Sequence, residues 1–110
     1  MKEIKAYIKR HKLGQVTFAL QRVERLRGMS VSEVKGWGRR EETDPCCPGI
    51  DDLMDSYPYA KIEIVCEDDL ANELISVIDK TARTGLRGDG KIYISNVERA
   101  VKIGRGDSTQ

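Results

Sequence analysis

Ala60-Lys61-Ile62-Glu63-Ile64-Val65-Cys66 alternates apolar and polar residues almost without a break, and Asp68-Asp69-Leu70 follows directly. A period of two marks a strand with one buried face, here that of Ala60, Ile62, Ile64 and Cys66. Cys66 reads as a small buried hydrophobe on that face. Beyond it the period lengthens. Leu70, Leu74, Ile78 and Ala82 recur at helical spacing, with Asp68 or Asp69 as the expected N-cap. Ile92 and Ile94 then alternate with Tyr93 and Ser95 as a further strand. This half of the chain reads β-α-β.

The first half echoes it. Ile4, Ala6 and Ile8 alternate with Glu3, Lys5, Tyr7 and Lys9, and Gly14 breaks the pattern. Val16, Leu20, Val23 and Leu26 then form a helical stripe, expected to be closed by Gly28. Met29–Gly38 is rich in β-branched residues and reads as a strand in which Gly36 and Gly38 bracket Trp37. Glycine in a strand often marks close approach by another backbone or a ligand. After a turn at Asn96–Arg99 comes Val101–Ile103, and Gly104–Gln110 reads as a flexible polar tail.

Two β-α-β units predict an α+β, ferredoxin-like βαββαβ domain over residues 1–110, an antiparallel sheet with both helices on one face. The opposite face carries Tyr7, Val65 and Tyr93, and self-association is expected to cover it.

Charge is nearly balanced, 19 Lys plus Arg against 18 Asp plus Glu. That excludes a nucleic-acid carpet or a polybasic membrane anchor. No apolar run approaches the roughly 20 residues of a membrane span. An odd cysteine count without an export signal points to a reducing compartment, so the expected location is cytoplasmic.

The helix–strand link Thr84-Gly85-Leu86-Arg87-Gly88-Asp89-Gly90-Lys91 concentrates glycine and positive charge. Glycines let successive N–H groups face one concavity, and Lys91 and Arg87 add charge, which suits phosphate oxygens. Gly85 to Lys91 spells G-x-x-x-x-G-K, but Ile92 stands where a P-loop has Ser or Thr, and the order is helix–loop–strand. A glycine-terminated helix and a tight turn explain the loop equally well.

Arg39–Tyr57 has no period and carries Asp44, Pro45-Cys46-Cys47-Pro48, Asp51, Asp52 and Asp55. An aperiodic stretch of this length in a small domain reads as a flexible interaction loop. Cys46 and Cys47 rank first as inert thiols, second as a redox-responsive pair and third as metal ligands, because the loop has no histidine. A metal- or redox-responsive interaction protein is therefore the alternative function. His11 is the only histidine and lies in a basic strand end, so no nucleophile–base pair can be assembled and no enzyme is expected.

With these stretches together, Gly28–Arg39, Lys61–Val65 and Thr81–Ile92 resemble the PII family of nitrogen-regulatory signal proteins. The resemblance covers nearly the full length. It implies a homotrimer that binds adenine nucleotides, ATP, ADP or AMP, in clefts between subunits. Its long T-loop, here 39–57, would dock on a membrane transporter or an enzyme. Carried over, Gly36, Trp37, Gly38 and Arg39 resemble the wall around the nucleotide. Gly28, Met29 and Ser30 resemble the segment meeting the base, with Val65 beneath it. Gly88, Asp89, Gly90 and Lys91 resemble the phosphate-holding loop, and Lys102 and Arg105 the cationic C-terminal segment reaching a neighbour. Asp44, Cys46, Cys47, Asp51 and Asp52 fall on the docking loop.

The chain also departs from the pattern. Arg40 replaces a glutamine that helps bind magnesium and 2-oxoglutarate, and a guanidinium cannot ligate a cation. Tyr59 replaces a lysine near the phosphates, Asp52 falls at the tyrosine uridylylated in enteric members, and Gly104 at the last C-terminal arginine. The expectation is a divergent, PII-like branch, tuned to ADP or AMP, with bicarbonate as a candidate co-ligand.

Overall fold

The computed structural model describes residues 1–37 and 57–108. In chain order these form β1 (Lys2–Lys9), a short 3-10 turn at Arg10–Lys12, α1 (Leu13–Gln21), β2 (Ser30–Gly36), β3 (Tyr57–Cys66) and α2 (Asp68–Ala82). β4 (Gly90–Asn96), β5 (Ala100–Lys102) and β6 (Gly106–Ser108) complete the chain. The main sheet runs β2-β3-β1-β4 and is antiparallel throughout. This is the expected ferredoxin-like arrangement.

The registers explain the core. Ile4 pairs with Ile64 and Ile94, and Ala6 with Ile62 and Ile92, which puts the isoleucines and alanines of β1, β3 and β4 on one face. Against that face pack Val16 and Leu20 of α1 and Leu70, Ala71, Leu74, Ile78 and Ala82 of α2, all buried. The helices cover the two central strands fully and the edges only partly. Val31 on β2 and Ile94 on β4 stay 43% and 46% exposed. On the other face the Tyr7 and Tyr93 rings meet edge to face at 6.0 Å, and Val65 is exposed.

Four local expectations are corrected. α1 ends at Gln21, well before Gly28. Val23 and Leu26 still reach the core because i→i+3 turns carry the chain on, Val23 N–H to Leu20 and Leu26 N–H to Val23, which keeps the stripe on one side. Gly14 lies inside the first turn of α1; the break after β1 is made by Arg10–Lys12. Neither Asp68 nor Asp69 caps α2. Their carboxylates are taken instead by the Met1 ammonium at 3.0 Å and the Arg25 guanidinium at 2.8 Å, while Glu67 is the N-cap. Finally, Gly104–Gln110 is not all tail, since Gly106–Ser108 folds back on Ala100–Lys102 as a hairpin with Gly104 and Gly106 at positive φ.

Candidate functional site

The glycine loop after α2 is held by its own aspartate. One Asp89 carboxylate oxygen accepts the N–H groups of Thr84 at 2.9 Å and Gly85 at 3.3 Å. The other accepts the Thr84 hydroxyl and lies 3.2 Å from the Lys9 ammonium. Burial pushes this carboxyl up, but the Thr84 and Lys9 contacts outweigh it, and the pKa is lowered from 3.8 to about 2. Asp89 therefore stays ionised and fills, as an internal anion, the nest that the Thr84 and Gly85 amides form. Its role is to shape the loop.

Two glycines in the loop answer to hard geometry. Gly90 has φ 122°, and a Cβ there would lie 1.8 Å from the Tyr7 carbonyl oxygen. Gly88, at φ 80°, turns its carbonyl toward β3, where the Tyr59 hydroxyl donates to it at 2.9 Å. At the other end of the same ring, a Cβ on Gly36 would stand 2.8 Å from Tyr59 Cδ2. Tyr59 thus spans from the end of β2 to the glycine loop.

Around it lies an open cleft of about 900 Å³ on the uncovered sheet face. Gly36, Trp37, Gly88, Gly90 and Lys91 all line it, so five of the expected nucleotide residues come together within one chain. They are joined by Glu3, Lys5, Tyr7, Lys35, Tyr59 and Tyr93. Cations beside aromatic rings can hold phosphate and a flat base respectively.

The remaining expected residues lie elsewhere. Ser30 pairs with Glu63 and Gly36 with Tyr57, so Gly28, Met29 and Ser30 sit at the opposite end of β2, close to the end of β3 that carries Val65. Six residues of strand separate the two ends by about 20 Å. Lys102 and Arg105 belong to the β5–β6 hairpin, where the Arg105 N–H donates to the Lys102 carbonyl, and neither lines the cleft. Gly38, Arg39, Arg40, Asp44, Cys46, Cys47, Asp51 and Asp52 fall outside the described residues. Among the described residues no group of three or more His, Cys, Asp or Glu is placed to hold a metal. No described helix is long and apolar enough to cross a membrane.

Lys5 and Lys35 were not anticipated as cleft residues. Lys5 occupies an outward position of a recognisable strand, but only the β1–β4 register, which sets it opposite Tyr93, brings it to the cleft.

An antiparallel four-stranded sheet with two helices on one face and a glycine loop at its edge defines a class of small ferredoxin-like α+β domains. The comparisons make the class specific. Residues 1–107 match the family described as Nitrogen regulatory protein P-II. The protein of that name from Bradyrhizobium diazoefficiens is 45% identical over 108 residues, covering 98% of this chain and 96% of the relative. Nitrogen regulatory protein P-II 1 of Escherichia coli K12 is 42% identical over 107 residues, with 97% and 95% covered. The Haemophilus influenzae protein is 38% identical over 110 residues, with 100% and 97% covered. The chain belongs to the P-II family of nitrogen regulatory signalling proteins.

Proposed function

We propose that this protein is a homotrimeric sensor that binds adenine nucleotides between its subunits and regulates a transporter or an enzyme through residues 39–57. One observation carries this reading: Lys5, Lys91, Gly88, Gly90, Tyr7, Tyr93 and Trp37 share one cleft on the bare face of the sheet. The phosphates of the nucleotide meet the Gly88–Lys91 edge, and the base lies toward the rings.

The split of the expected residues supports the inter-subunit part. Gly28–Ser30 and Val65 are about a strand length from Gly88–Lys91, too far for one mononucleotide within one chain. A second copy, meeting the first along the exposed Val31 and Ile94 edges and the bare face, brings the two sets together. With Tyr59 rather than a cation on the cleft floor, the site favours ADP or AMP over ATP, and Arg40 adds an anion partner such as bicarbonate. The protein acts by docking, in the cytoplasm, and not by catalysis.

The test is calorimetric titration with ATP, ADP and AMP, each with and without magnesium, 2-oxoglutarate and bicarbonate, on a sample of measured mass. ADP or AMP binding to a trimer, strengthened by bicarbonate, supports the reading. ATP binding that needs magnesium and 2-oxoglutarate replaces it with an ordinary nitrogen sensor.

A further inference from the structure

The helical side of the sheet carries a concavity of its own. His11 and Lys12 of the 3-10 turn, Gln15 and Phe18 of α1, and Arg83 just past α2 line an open groove of about 930 Å³. Gln15, Phe18 and Arg22 follow His11 at helical spacing and form one outward stripe, opposite the buried Val16 and Leu20. Phe18 is 63% exposed, and the Arg22 guanidinium stands 6.0 Å from its ring centre.

Charge in this groove is one-sided, since no carboxylate lines it. The neighbouring cations Lys9, Arg10 and Arg83 reach Asp89, Glu33 and Asp79 respectively. Among the described residues the His11 and Lys12 side chains have no hydrogen-bond or ion-pair partner. Both precede α1, which has no acidic residue in its first turn. Positive charge at that pole of a helix is unfavourable until an anion offsets it.

The layout of the groove selects its occupant. Phe18 lies about 9 Å along α1 from Lys12 by helical rise, and Arg83 enters from the other helix. One small anion cannot span this set. An extended acidic peptide can, with carboxylates on Lys12 and Arg83 and an apolar side chain on Phe18. A concave groove with a single ring suits such a peptide better than a flat lipid surface. The bare sheet face lies on the other side, so the trimer proposed above leaves the groove open.

We propose that the groove of His11, Lys12, Phe18 and Arg83 docks an acidic segment of the regulated partner, separately from residues 39–57. That the occupant belongs to a regulated partner rests on the reading above. Binding of an acidic peptide does not.

Fluorescence anisotropy on the full chain tests it. The probe is a short labelled peptide of aspartate, glutamate and glycine around a central leucine. The wild-type chain should bind it, more weakly as salt rises, and should bind an asparagine–glutamine version at least about tenfold more weakly. Lys12→Gln and Phe18→Ala should each weaken binding about threefold to tenfold while ADP affinity stays at the wild-type value. Lys80→Ala, on α2 outside the groove, should change nothing. Equal weakening by Lys80→Ala overturns the site, as does peptide binding indifferent to Lys12→Gln and Phe18→Ala. Absence of peptide binding also overturns it. Lys12-dependent capture by phosphatidylserine vesicles in its place makes the groove a membrane contact. If the wild-type chain binds no ADP, the nucleotide reading fails alone, and the peptide titration still decides the groove.

Discussion

The Lys9 ammonium sits 3.2 Å from the Asp89 carboxylate, tying the end of β1 to the glycine loop. Both side chains are shielded, at 21% and 28% exposure, so the pair is stronger than an exposed ion pair, whose net worth is about 0–1 kcal/mol. Asp89→Ala removes this contact and also orphans the Thr84 and Gly85 amides. Its expected cost is about 2–3 kcal/mol, read as a lower denaturant midpoint, with weaker nucleotide binding alongside. An unchanged midpoint contradicts the assignment of Asp89 as the residue that shapes the loop.

Acid should expose the same contact. A carboxyl lowered in the folded chain contributes stability that is full above its unfolded pKa and lost as pH falls toward the folded one. For Asp89 the window runs from 3.8 down to about 2, and its share is about 2 kcal/mol. Asp68, bonded to the Met1 ammonium, and Asp69, bonded to Arg25, are also lowered and act with the same sign. Stability measured by chemical denaturation should drop between pH 4 and 2, and Asp89→Asn should flatten that drop.

Two glycine substitutions are expected to move in opposite directions. Gly90→Ala forces a Cβ against the Tyr7 carbonyl at a φ that L residues avoid, and should cost about 3 kcal/mol or more. Gly14→Ala lies in the first turn of α1 with open space around it, and should stabilise by about 0.5–1 kcal/mol. Thermal unfolding of the two variants checks both signs.

These contrasts show what was legible in the sequence. The sheet and both helices were legible because Ile4–Ile8, Ala60–Cys66 and Leu70–Ala82 carry unbroken periods on buried faces. The end of α1 was not, because consecutive i→i+3 turns place Val23 and Leu26 on the same side that a continued helix would. The capping role given to Asp68 and Asp69 failed for a long-range reason: Met1 and Arg25 reach them only after folding. Gly36, Trp37, Gly88, Gly90 and Lys91 stood out in the sequence through a resemblance and their glycine chemistry, and the fold brings these five to one cleft. That Tyr59 bridges them depends on register across β2 and β3, which no local pattern records.

The edges of the sheet offer a test of assembly. Ile94 is 46% exposed on β4 and Val31 43% exposed on β2, each on the apolar side of the sheet. Ile94→Lys should leave a folded chain with native far-ultraviolet dichroism but a smaller particle by light scattering. A trimer that survives the substitution unchanged places the subunit contacts elsewhere.

Lys91 tests the central claim most directly. It is exposed, lines the cleft and pairs in register with Tyr7, so Lys91→Ala should fold normally. Calorimetric titration of ADP into the wild-type chain should show one nucleotide per subunit, and Lys91→Ala should weaken binding about 10-fold to 100-fold, the loss of a charge-assisted phosphate contact. Equal ADP affinity in the two proteins, or none in the wild type, would contradict the account.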